Sequence, residues 1–310
     1  MISGGRILII DDDPSFLETY QDLLSEQGYA VETATTRAKA LERLDEPGWS
    51  VVIVDQKLQG PGGPDVGLDL IAEVGHRAPG AKAILATAYA AKDAVERAFR
   101  EGAYDYLEKT PVFEALLRVK VRNAMEAVQE RWLSSLSADE VERSIQETWE
   151  QVQSEKDKNR KGVLLERLVA LLLKSIPGFD RLDSRIQNES EEIDVLVQNN
   201  AADPFWQKEK QYILVECKNW SKHVGTKEIR DFWGKIEGRH DRCSLALFVA
   251  PGGFADTVRE FLLRKSEDGR LVLLIGPGEL DELVRRPDRD EVLKEIHRRA
   301  VVTATSGYGS

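Results

Sequence analysis

The chain contains 310 residues, of which 42% are hydrophobic and 31% charged, a composition typical of a folded globular protein rather than a disordered one. At roughly 100–200 residues per domain, the length suits two domains. No apolar run approaches the roughly 18 residues that a membrane helix needs, and two cysteines cannot form a disulfide framework or a zinc site. We therefore expect a cytoplasmic, reduced protein without a membrane partner.

The net charge of −11 is unevenly distributed along the chain. Residues 1–124 hold 14 basic and 20 acidic side chains, and residues 125–159 hold 4 and 9. Residues 160–310 hold 25 of each and are neutral. The overall negative charge therefore excludes no partner of the second half, which can carry a local basic surface for nucleic acid.

The first 110 residues alternate between short apolar runs and amphipathic helical patterns. The apolar runs predict strands at 6–10, 30–34, 51–54, 83–87 and 104–107, and the helical patterns lie near 14–27, 36–44, 67–74, 91–100 and 112–129. Apolar strands that alternate with helices indicate a parallel sheet covered on both faces. Five such units predict a doubly wound α/β domain, whose functional groups belong at the carboxyl ends of its strands.

Polar side chains end or follow four of these predicted strands. They are Asp11, Asp12 and Asp13 after the first strand, Asp55 at the third, Thr87 at the fourth and Lys109 after the fifth. Clustered carboxylates repel one another unless a cation lies among them, and oxygen donors without His or Cys favour Mg²⁺. The pattern predicts Asp55 as a nucleophile toward a phosphoryl donor, with Thr87 and Lys109 binding the transferred phosphoryl oxygens.

Four motifs carry these side chains: Ile-Leu-Ile-Ile-Asp11-Asp12, Val-Val-Ile-Val-Asp55, Leu-Ala-Thr87-Ala and Tyr106-Leu-Glu-Lys109. With them, residues 1–125 resemble the receiver domain of two-component response regulators, which has a flavodoxin-like (βα)5 fold. The resemblance implies that a histidine kinase phosphorylates Asp55 and that Asp11, Asp12 and Asp55 hold Mg²⁺. It also implies that Thr87 and Tyr106 relay phosphorylation to the face formed by the fourth helix, fifth strand and fifth helix. The sequence departs from the family in a loop at 56–66 that looks longer than usual and in Thr110, which separates Lys109 from Pro111.

Residues 126–160 are predicted to form a helical linker. Ser137 and Glu140 have the spacing of a capping box, which predicts that a second helix begins there. The apolar stripe Val141, Ile145, Thr148 and Val152 follows 4-3-4 spacing, which suits a short coiled-coil seam between two copies of the chain. The same stripe also suits a helical spacer that lies on its own domain.

Residues 161–299 predict a second α/β domain, followed by a loose tail at 300–310. Helical patterns lie at 163–175, 226–237, 254–265, 280–285 and 290–299, and strand patterns at 179–185, 193–198, 212–218, 244–250 and 271–275. Asp194 occupies one strand, and Glu216 and Lys218 share one face of the next because residues two apart point the same way. Two carboxylates and an ammonium group suit metal-dependent phosphodiester hydrolysis. The lysine would orient the attacking water, or accept its proton if its pKa is lowered.

The order of these elements, with a Gly-x-x-x-Glu166 helix, Glu192-Ile-Asp194-Val-Leu-Val and Val-Glu216-Cys-Lys218-Asn-Trp, resembles the PD-(D/E)xK nuclease core. The resemblance is to the Mrr-like branch of restriction endonucleases. It implies that Glu166, Asp194, Glu216 and Lys218 form the catalytic set, with Asp194 and Glu216 as ligands of Mg²⁺ or Mn²⁺.

Nine basic residues lie between 208 and 242, interleaved with aromatic ones. Lys222, Lys227, Arg230 and Trp220 are candidate DNA contacts, because cationic side chains bind phosphates and aromatic rings stack on bases. Phe232 and Trp233 fit core packing of an amphipathic helix better than base stacking. His223 and His240 have no partner pattern, and we expect them at the surface.

The sequence as a whole predicts a response regulator of a two-component system whose output is a Mg²⁺-dependent endodeoxyribonuclease. A histidine kinase, DNA and a second copy of the chain in a homodimer are the expected partners. One alternative is a phosphorylation-regulated DNA-binding or scaffold protein with a nuclease-like fold that does not cleave. Another keeps the nuclease and makes the first domain a constitutive dimerisation module.

Overall fold

The computed structural model of the protein describes residues 5–58, 65–88, 91–179, 181–187, 192–239, 241–265 and 269–306. Most of the loop that the sequence marks as longer than usual, residues 59–64, lies outside the described residues, as does His240. The chain divides into two compact units, an N-terminal unit of residues 1–131 and a C-terminal unit of residues 132–310.

The N-terminal unit is a doubly wound parallel α/β domain, as predicted. Its elements are β1 (Arg6–Ile10), α1 (Pro14–Ser25), β2 (Ala30–Ala34), α2 (Arg37–Leu44), β3 (Trp49–Asp55), α3 (Val66–Arg77), β4 (Lys82–Thr87), α4 (Lys92–Arg100), β5 (Asp105–Glu108) and α5 (Phe113–Ser135), the last of which runs into the C-terminal unit. The strands are ordered β2-β1-β3-β4-β5, and every neighbouring pair is parallel. The carboxyl ends of β1, β3, β4 and β5 therefore meet at one edge of the sheet.

Alternation along the central strands builds a core on each face of this sheet. Ile7 and Ile9 of β1 pack in one cluster with α1 and α5, whereas Leu8 and Ile10 pack in another with α2 and α3. Both sets are fully buried, because a strand covered on both faces has no solvent side. Asp13 caps α1 by accepting from the backbone N–H of Ser15 at 2.9 Å.

The C-terminal unit is an α/β domain with a mixed sheet. Its elements are α6 (Ala138–Ser154), α7 (Lys158–Lys174), β6 (Arg181–Gln187), β7 (Glu192–Gln198), β8 (Tyr212–Cys217), α8 (Thr226–Glu237), β9 (Cys243–Val249), α9 (Asp256–Lys265), β10 (Leu271–Ile275), α10 (Pro277–Arg285) and α11 (Arg289–Ser306), with a short 3-10 helix at Trp206–Lys208. The strand order is β10-β9-β8-β7-β6. β6, β7 and β8 pair antiparallel, and β8, β9 and β10 pair parallel. Asp194 on β7 and Glu216 on β8 thus lie on neighbouring strands.

The apolar stripe of α6 belongs to the core of the C-terminal unit. The predicted capping box is present, with Ser137 and Glu140 each accepting from the other's backbone N–H. Val141, Ile145 and Val152 are at most 5% exposed and share one hydrophobic cluster with the leucines of α7. The coiled-coil interpretation of this stripe is therefore wrong, and the helix lies on its own domain. The 4-3-4 spacing predicts that the helix has an apolar face, but it does not predict which surface covers that face.

The last helix extends further than the sequence indicated. α11 continues to Ser306, so the loose tail expected from residue 300 is wrong for residues 300–306, and residues 307–310 lie outside the described part of the chain. Among the described helices, none has the length and apolarity to cross a membrane.

Candidate functional site

The carboxyl edge of the N-terminal sheet brings together one lysine and two buried carboxylates. Lys109 follows β5, and its Nζ lies 2.7 Å from Oδ2 of Asp11 and 2.6 Å from Oδ1 of Asp55. Asp11 is 2% exposed and Asp55 7%. The second oxygen of Asp55 accepts from the backbone N–H of Lys57 at 2.7 Å. One ammonium group is therefore shared between the two carboxylates that the sequence singled out.

The electrostatics of this edge follow from burial and from that shared cation. Burial raises the pKa of the Asp11 carboxyl, the negative charge of Asp55 adds to the rise, and hydrogen bonding to Lys109 only partly offsets it. Burial alone would lower the pKa of Lys109, but the two carboxylates outweigh burial and raise it. The lysine therefore stays charged. Two carboxylates, those of Asp11 and Asp55, share this one ammonium group.

These residues line an open cavity of about 860 Å³ together with Asp12, Asp13 and Thr87. Carboxylate and hydroxyl oxygens without nitrogen or sulfur donors are the set that Mg²⁺ prefers, so the donor chemistry fits such an ion. No three Asp, Glu, His or Cys side chains in the described part of the chain are already arranged as a complete metal site.

Thr87 is hydrogen-bonded to a residue that the sequence analysis did not select. Its hydroxyl donates to Oε1 of Gln56 at 2.7 Å, in a buried contact. Nε2 of the same glutamine donates to Oδ1 of Asp65 at 2.9 Å. Tyr106 is half-buried and stacks edge-on against Phe99 of α4, with 6.3 Å between the ring centroids.

The C-terminal unit places a second lysine–carboxylate cluster on β7 and β8. Asp194 and Glu216 are both buried, and Oδ2 of Asp194 accepts from the backbone N–H of Cys217 at 2.6 Å. Nζ of Lys218 lies 2.5 Å from Oε1 of Glu216. Nζ of Lys235, which comes from α8, lies 2.7 Å from Oε2 of the same carboxylate. The Cys217 side chain points to the opposite face and is buried in the core.

Burial and neighbouring charge shift the pKa values of Asp194 and Lys218. Burial, reinforced by the negative charges of Glu166 and Glu216, raises the pKa of Asp194 to about 7. Glu166 on α7 thus lies close enough to act on Asp194, as the predicted four-residue set requires. Burial alone would lower the pKa of Lys218, but Glu216 outweighs it and raises the pKa. The lowered pKa that would let Lys218 accept a proton is therefore not present in this arrangement, which favours the alternative that the lysine orients the water.

The residues around this cluster separate into core and surface. Phe232 and Trp233 are buried in the core beneath α8, as expected, and Trp206 is also buried, donating its indole N–H to Asp290 at 2.6 Å. Trp220 remains half-buried, with Nζ of Lys222 5.1 Å from its ring centroid. The residues Lys222, Lys227, Arg230 and His223 are exposed. Of the aromatic side chains discussed as base-stacking candidates, Trp220 therefore keeps an accessible surface.

Comparison with known protein families matches each unit separately. The response regulator receiver domain matches residues 7–121, and a restriction endonuclease family of the Mrr type matches residues 158–284. The chain joins a receiver domain to a restriction endonuclease domain. Both parts of the sequence-based assignment are confirmed at the level of the family.

Curated relatives match the chain over part of their length. The alginate biosynthesis transcriptional regulatory protein AlgB of Pseudomonas putida is 34% identical over 125 residues, which cover 40% of this chain and 27% of the relative. The transcriptional regulatory protein GlrR of Escherichia coli is 30% identical over 136 residues, 43% of this chain and 30% of the relative. The chain thus spans less than a third of these relatives, whose names describe transcriptional regulators.

Solved structures of receiver domains are also similar to the chain. A CheY-like receiver domain protein from Methanospirillum hungatei is 29% identical, covering 41% of this chain and 98% of its own, with a TM-score of 0.38. The receiver domain of NtrX from Brucella abortus is 28% identical over 39% of this chain and 98% of its own, with a TM-score of 0.35.

Two side chains at these sites were not predicted from the sequence. Gln56 is a polar residue directly after Asp55 at the end of an otherwise apolar strand, and that position alone was a usable signal. The sequence signal for Lys235 was weaker. This residue lies on α8 beside the buried positions Trp233 and Ile236, so a lysine there is held near the sheet, but only the fold shows which carboxylate it meets.

Proposed function

We propose that the chain is a response regulator in which phosphorylation of the receiver domain controls metal-dependent cleavage of DNA by the restriction endonuclease domain. The observation that carries the proposal is the convergence of Asp194, Glu216 and Lys218 from two neighbouring strands, with Glu166 acting on the same site from α7. A structural salt bridge would not need a third carboxylate and a buried aspartate with a raised pKa in one place.

In the receiver domain, Asp55 is the proposed phosphoacceptor and a histidine kinase the proposed donor. Asp11, Asp12 and Asp55 would hold Mg²⁺, which when bound neutralises the phosphoryl oxygens during transfer. Lys109 already lies against Asp55 and supplies a fixed positive charge for the phosphorylated side chain. Thr87 supplies a hydroxyl donor from the same cavity.

In the nuclease domain, Asp194 and Glu216 would hold Mg²⁺ or Mn²⁺, which when bound polarises the scissile phosphate and the attacking water. Lys218 remains an ammonium group beside Glu216, so its role is to orient the water and to stabilise the negative charge that develops on the phosphate. Lys222, Lys227, Arg230 and Trp220 are exposed and are the proposed contacts to the DNA backbone and bases.

Control of cleavage by phosphorylation is proposed to act through dimer geometry. Because the α6 stripe is buried within its own domain, it cannot pair two copies. The face formed by α4, β5 and α5 carries exposed apolar side chains instead, Phe99 at 47%, Leu116 at 41% and Val119 at 42% exposure. We therefore place the phosphorylation-dependent homodimer contact on this face of the receiver domain.

A second candidate function is phosphorylation-regulated DNA binding without cleavage. It is favoured by one observation: Lys218 and Lys235 already balance the charge of Glu216, so this carboxylate has cationic partners without a metal ion. The complete set of acids and lysine favours the nuclease instead, since a binding protein has no need to keep them.

Plasmid cleavage distinguishes the two functions. Supercoiled plasmid and branched duplexes are incubated with Mg²⁺ or Mn²⁺ and with wild type, Lys218→Ala or the receiver control Lys39→Ala. We expect Lys218→Ala to lose about 100-fold or more of the cleavage rate and Lys39→Ala to retain it. Equal cleavage by all three proteins contradicts the assignment of Lys218. DNA binding without cleavage by any of them supports the binding function.

The proposed coupling has its own test. Cleavage rate and solution mass are measured for wild type and Asp55→Ala, each with and without beryllofluoride and Mg²⁺. We expect both quantities to change in wild type alone. Identical rates and masses in all four samples contradict control by phosphorylation and leave the nuclease assignment standing.

A further inference from the structure

Glu216 is held by two ammonium groups, one on each oxygen. Lys218, which belongs to the recognised motif, contacts Oε1, and Lys235 of α8 contacts Oε2. The Lys235 side chain is 18% exposed, so its charge lies at the edge of the protein interior. The motif residues thus account for only one of the two cations at this carboxylate.

A divalent ion on Glu216 conflicts with this arrangement. The ion needs a carboxylate oxygen, and the two oxygens have cationic partners at 2.5 and 2.7 Å. Placing a divalent ion beside an ammonium group at such a distance costs electrostatic energy that water screens poorly at a buried site. One lysine must therefore leave its oxygen when the metal binds. Lys218 belongs to the motif on β8, whereas Lys235 comes from α8, so Lys235 can leave without disturbing the motif.

Because α8 is anchored on the sheet, only the side chain of Lys235 needs to move, and the helix backbone stays in place. Ile229, Phe232, Trp233 and Ile236 of α8 are buried in one hydrophobic cluster, which fixes the helix on the sheet. Lys235 can therefore swing on its flexible four-carbon chain while the backbone stays in place. A DNA phosphate brought to the site supplies the anion that replaces Glu216 as its partner.

We propose that Lys235 is a positioning residue that occupies Glu216 in the metal-free protein and transfers to a DNA phosphate when Glu216 binds the metal. The proposal rests on the nuclease function proposed above. It assigns Lys235 two partners in sequence, and it makes metal binding and DNA binding mutually reinforcing at this side chain.

Metal affinity gives the first test, without any need for cleavage. Mn²⁺ is titrated calorimetrically into full-length Asp55→Ala, which lacks one proposed receiver ligand, and into the same protein carrying Lys235→Met or Lys208→Met, the last being an exposed lysine of the short 3-10 helix. We expect Lys235→Met to bind Mn²⁺ about tenfold more tightly than Asp55→Ala alone, because a competing charge has gone, and Lys208→Met to match Asp55→Ala alone. Unchanged or weaker binding on addition of Lys235→Met overturns the proposal. Failure of all three proteins to bind Mn²⁺ contradicts the metal-dependent nuclease itself.

DNA affinity gives the second test. Binding to a duplex is measured in Ca²⁺, which replaces Mg²⁺ while slowing hydrolysis, and again in EDTA. We expect Lys235→Met to weaken binding about threefold or more in Ca²⁺, through loss of one phosphate contact, and to leave binding in EDTA unchanged. A purely structural lysine would lower both affinities together, and that result overturns the transfer to phosphate.

A separate observation in the receiver domain carries a second inference. A threonine hydroxyl has one hydrogen, and that of Thr87 is donated to Oε1 of Gln56. The orientation of the glutamine amide is fixed, since a flipped amide would place its oxygen against the Asp65 carboxylate that now accepts from Nε2. The hydroxyl cannot donate to a phosphoryl group on Asp55 while it donates to Gln56.

We infer that Gln56 is a positioning residue that holds Thr87 in its unphosphorylated orientation, so that phosphorylation must break this hydrogen bond. Beryllofluoride binding in Mg²⁺ is measured for wild type, Gln56→Leu, Thr87→Val and the double variant. We expect Gln56→Leu to bind about fivefold more tightly, the equivalent of one ordinary hydrogen bond, and to have no effect when Thr87 is Val. Weaker binding by Gln56→Leu, or the same effect in both backgrounds, overturns the inference.

Discussion

The two domains place lysine and carboxylate groups at the ends of neighbouring strands, yet they distribute the charge in opposite ways. In the receiver domain one ammonium group, that of Lys109, is shared by Asp11 and Asp55. In the nuclease domain two ammonium groups hold Glu216, while Asp194 accepts a backbone N–H and faces other carboxylates. Burial and the negative charges of Glu166 and Glu216 therefore raise the pKa of Asp194 to about 7, although the backbone N–H of Cys217 and the charge of Lys218 oppose the rise.

At each site a glycine packs closely against a backbone carbonyl group, and replacing that glycine has the largest effect on stability that we expect. A Cβ on Gly67 would lie 2.0 Å from the carbonyl oxygen of Asp55, and one on Gly252 would lie 2.2 Å from that of Trp220. Neither backbone oxygen can move without moving a site. We predict that Gly67→Ala and Gly252→Ala each lower the free energy of unfolding of their own domain by about 3 kcal/mol or more.

Hydrogen exchange during urea unfolding checks this prediction, because it assigns the loss to one domain or the other. Gly75 and Gly278 are matched controls in α3 and α10, since a Cβ at either meets no atom within 4 Å. Alanine there should be neutral or stabilising by up to about 1 kcal/mol. Losses that spread equally over both domains, or that match the controls, would show that the close approaches do not hold the two sites independently.

The next largest effect is a pH dependence of stability, which we expect from Asp194 in the C-terminal domain. Asp194 keeps its proton in the folded protein up to about pH 7, whereas a carboxyl of pKa 3.8 in the unfolded chain has lost it. The folded state therefore binds more protons between these values, and the stability contributed by this group falls as pH rises from about 4 to 7. In metal-free buffer the loss between pH 5 and pH 8 should be about 2–3 kcal/mol.

Asp194→Asn removes this titration and should flatten the pH profile by that amount, with its largest relative stabilisation at pH 8. Five of the six tryptophans lie at 132–310, so fluorescence during guanidinium unfolding reports chiefly on the nuclease domain. Added Mg²⁺ should reduce the difference, because a bound cation favours the ionised carboxylate. A variant whose profile is parallel to that of wild type would mean that Asp194 is not the group that titrates.

The sequence predicted those parts of the molecule that depend on local pattern. Apolar strands followed by Asp11, Asp55 and Thr87 specify both the parallel sheet and the edge where these residues meet, because strand ends converge in such a fold. The surface that covers an amphipathic helix face cannot be read from the local sequence. The apolar stripe around Ile145 was therefore compatible both with packing against a partner chain and with packing on its own domain. Lys235 was missed for the same reason: its contact with Glu216 spans 19 positions and depends on how α8 lies on the sheet.

The smallest effect that we predict tests whether the C-terminal half, whose net charge is zero, carries a DNA-binding surface beside Trp220. Lys222 is exposed beside Trp220, and a lysine that contacts a phosphate releases about one counterion when DNA binds. Lys222→Ala should lower the slope of log affinity against log salt by about 0.9 while weakening binding alike for all sequences. The receiver lysine Lys92, exposed on α4, is the matched control, and its removal should leave the slope unchanged. Equal slopes for both variants would contradict the placement of DNA beside Trp220, since a charge that touches no phosphate cannot alter the number of ions released.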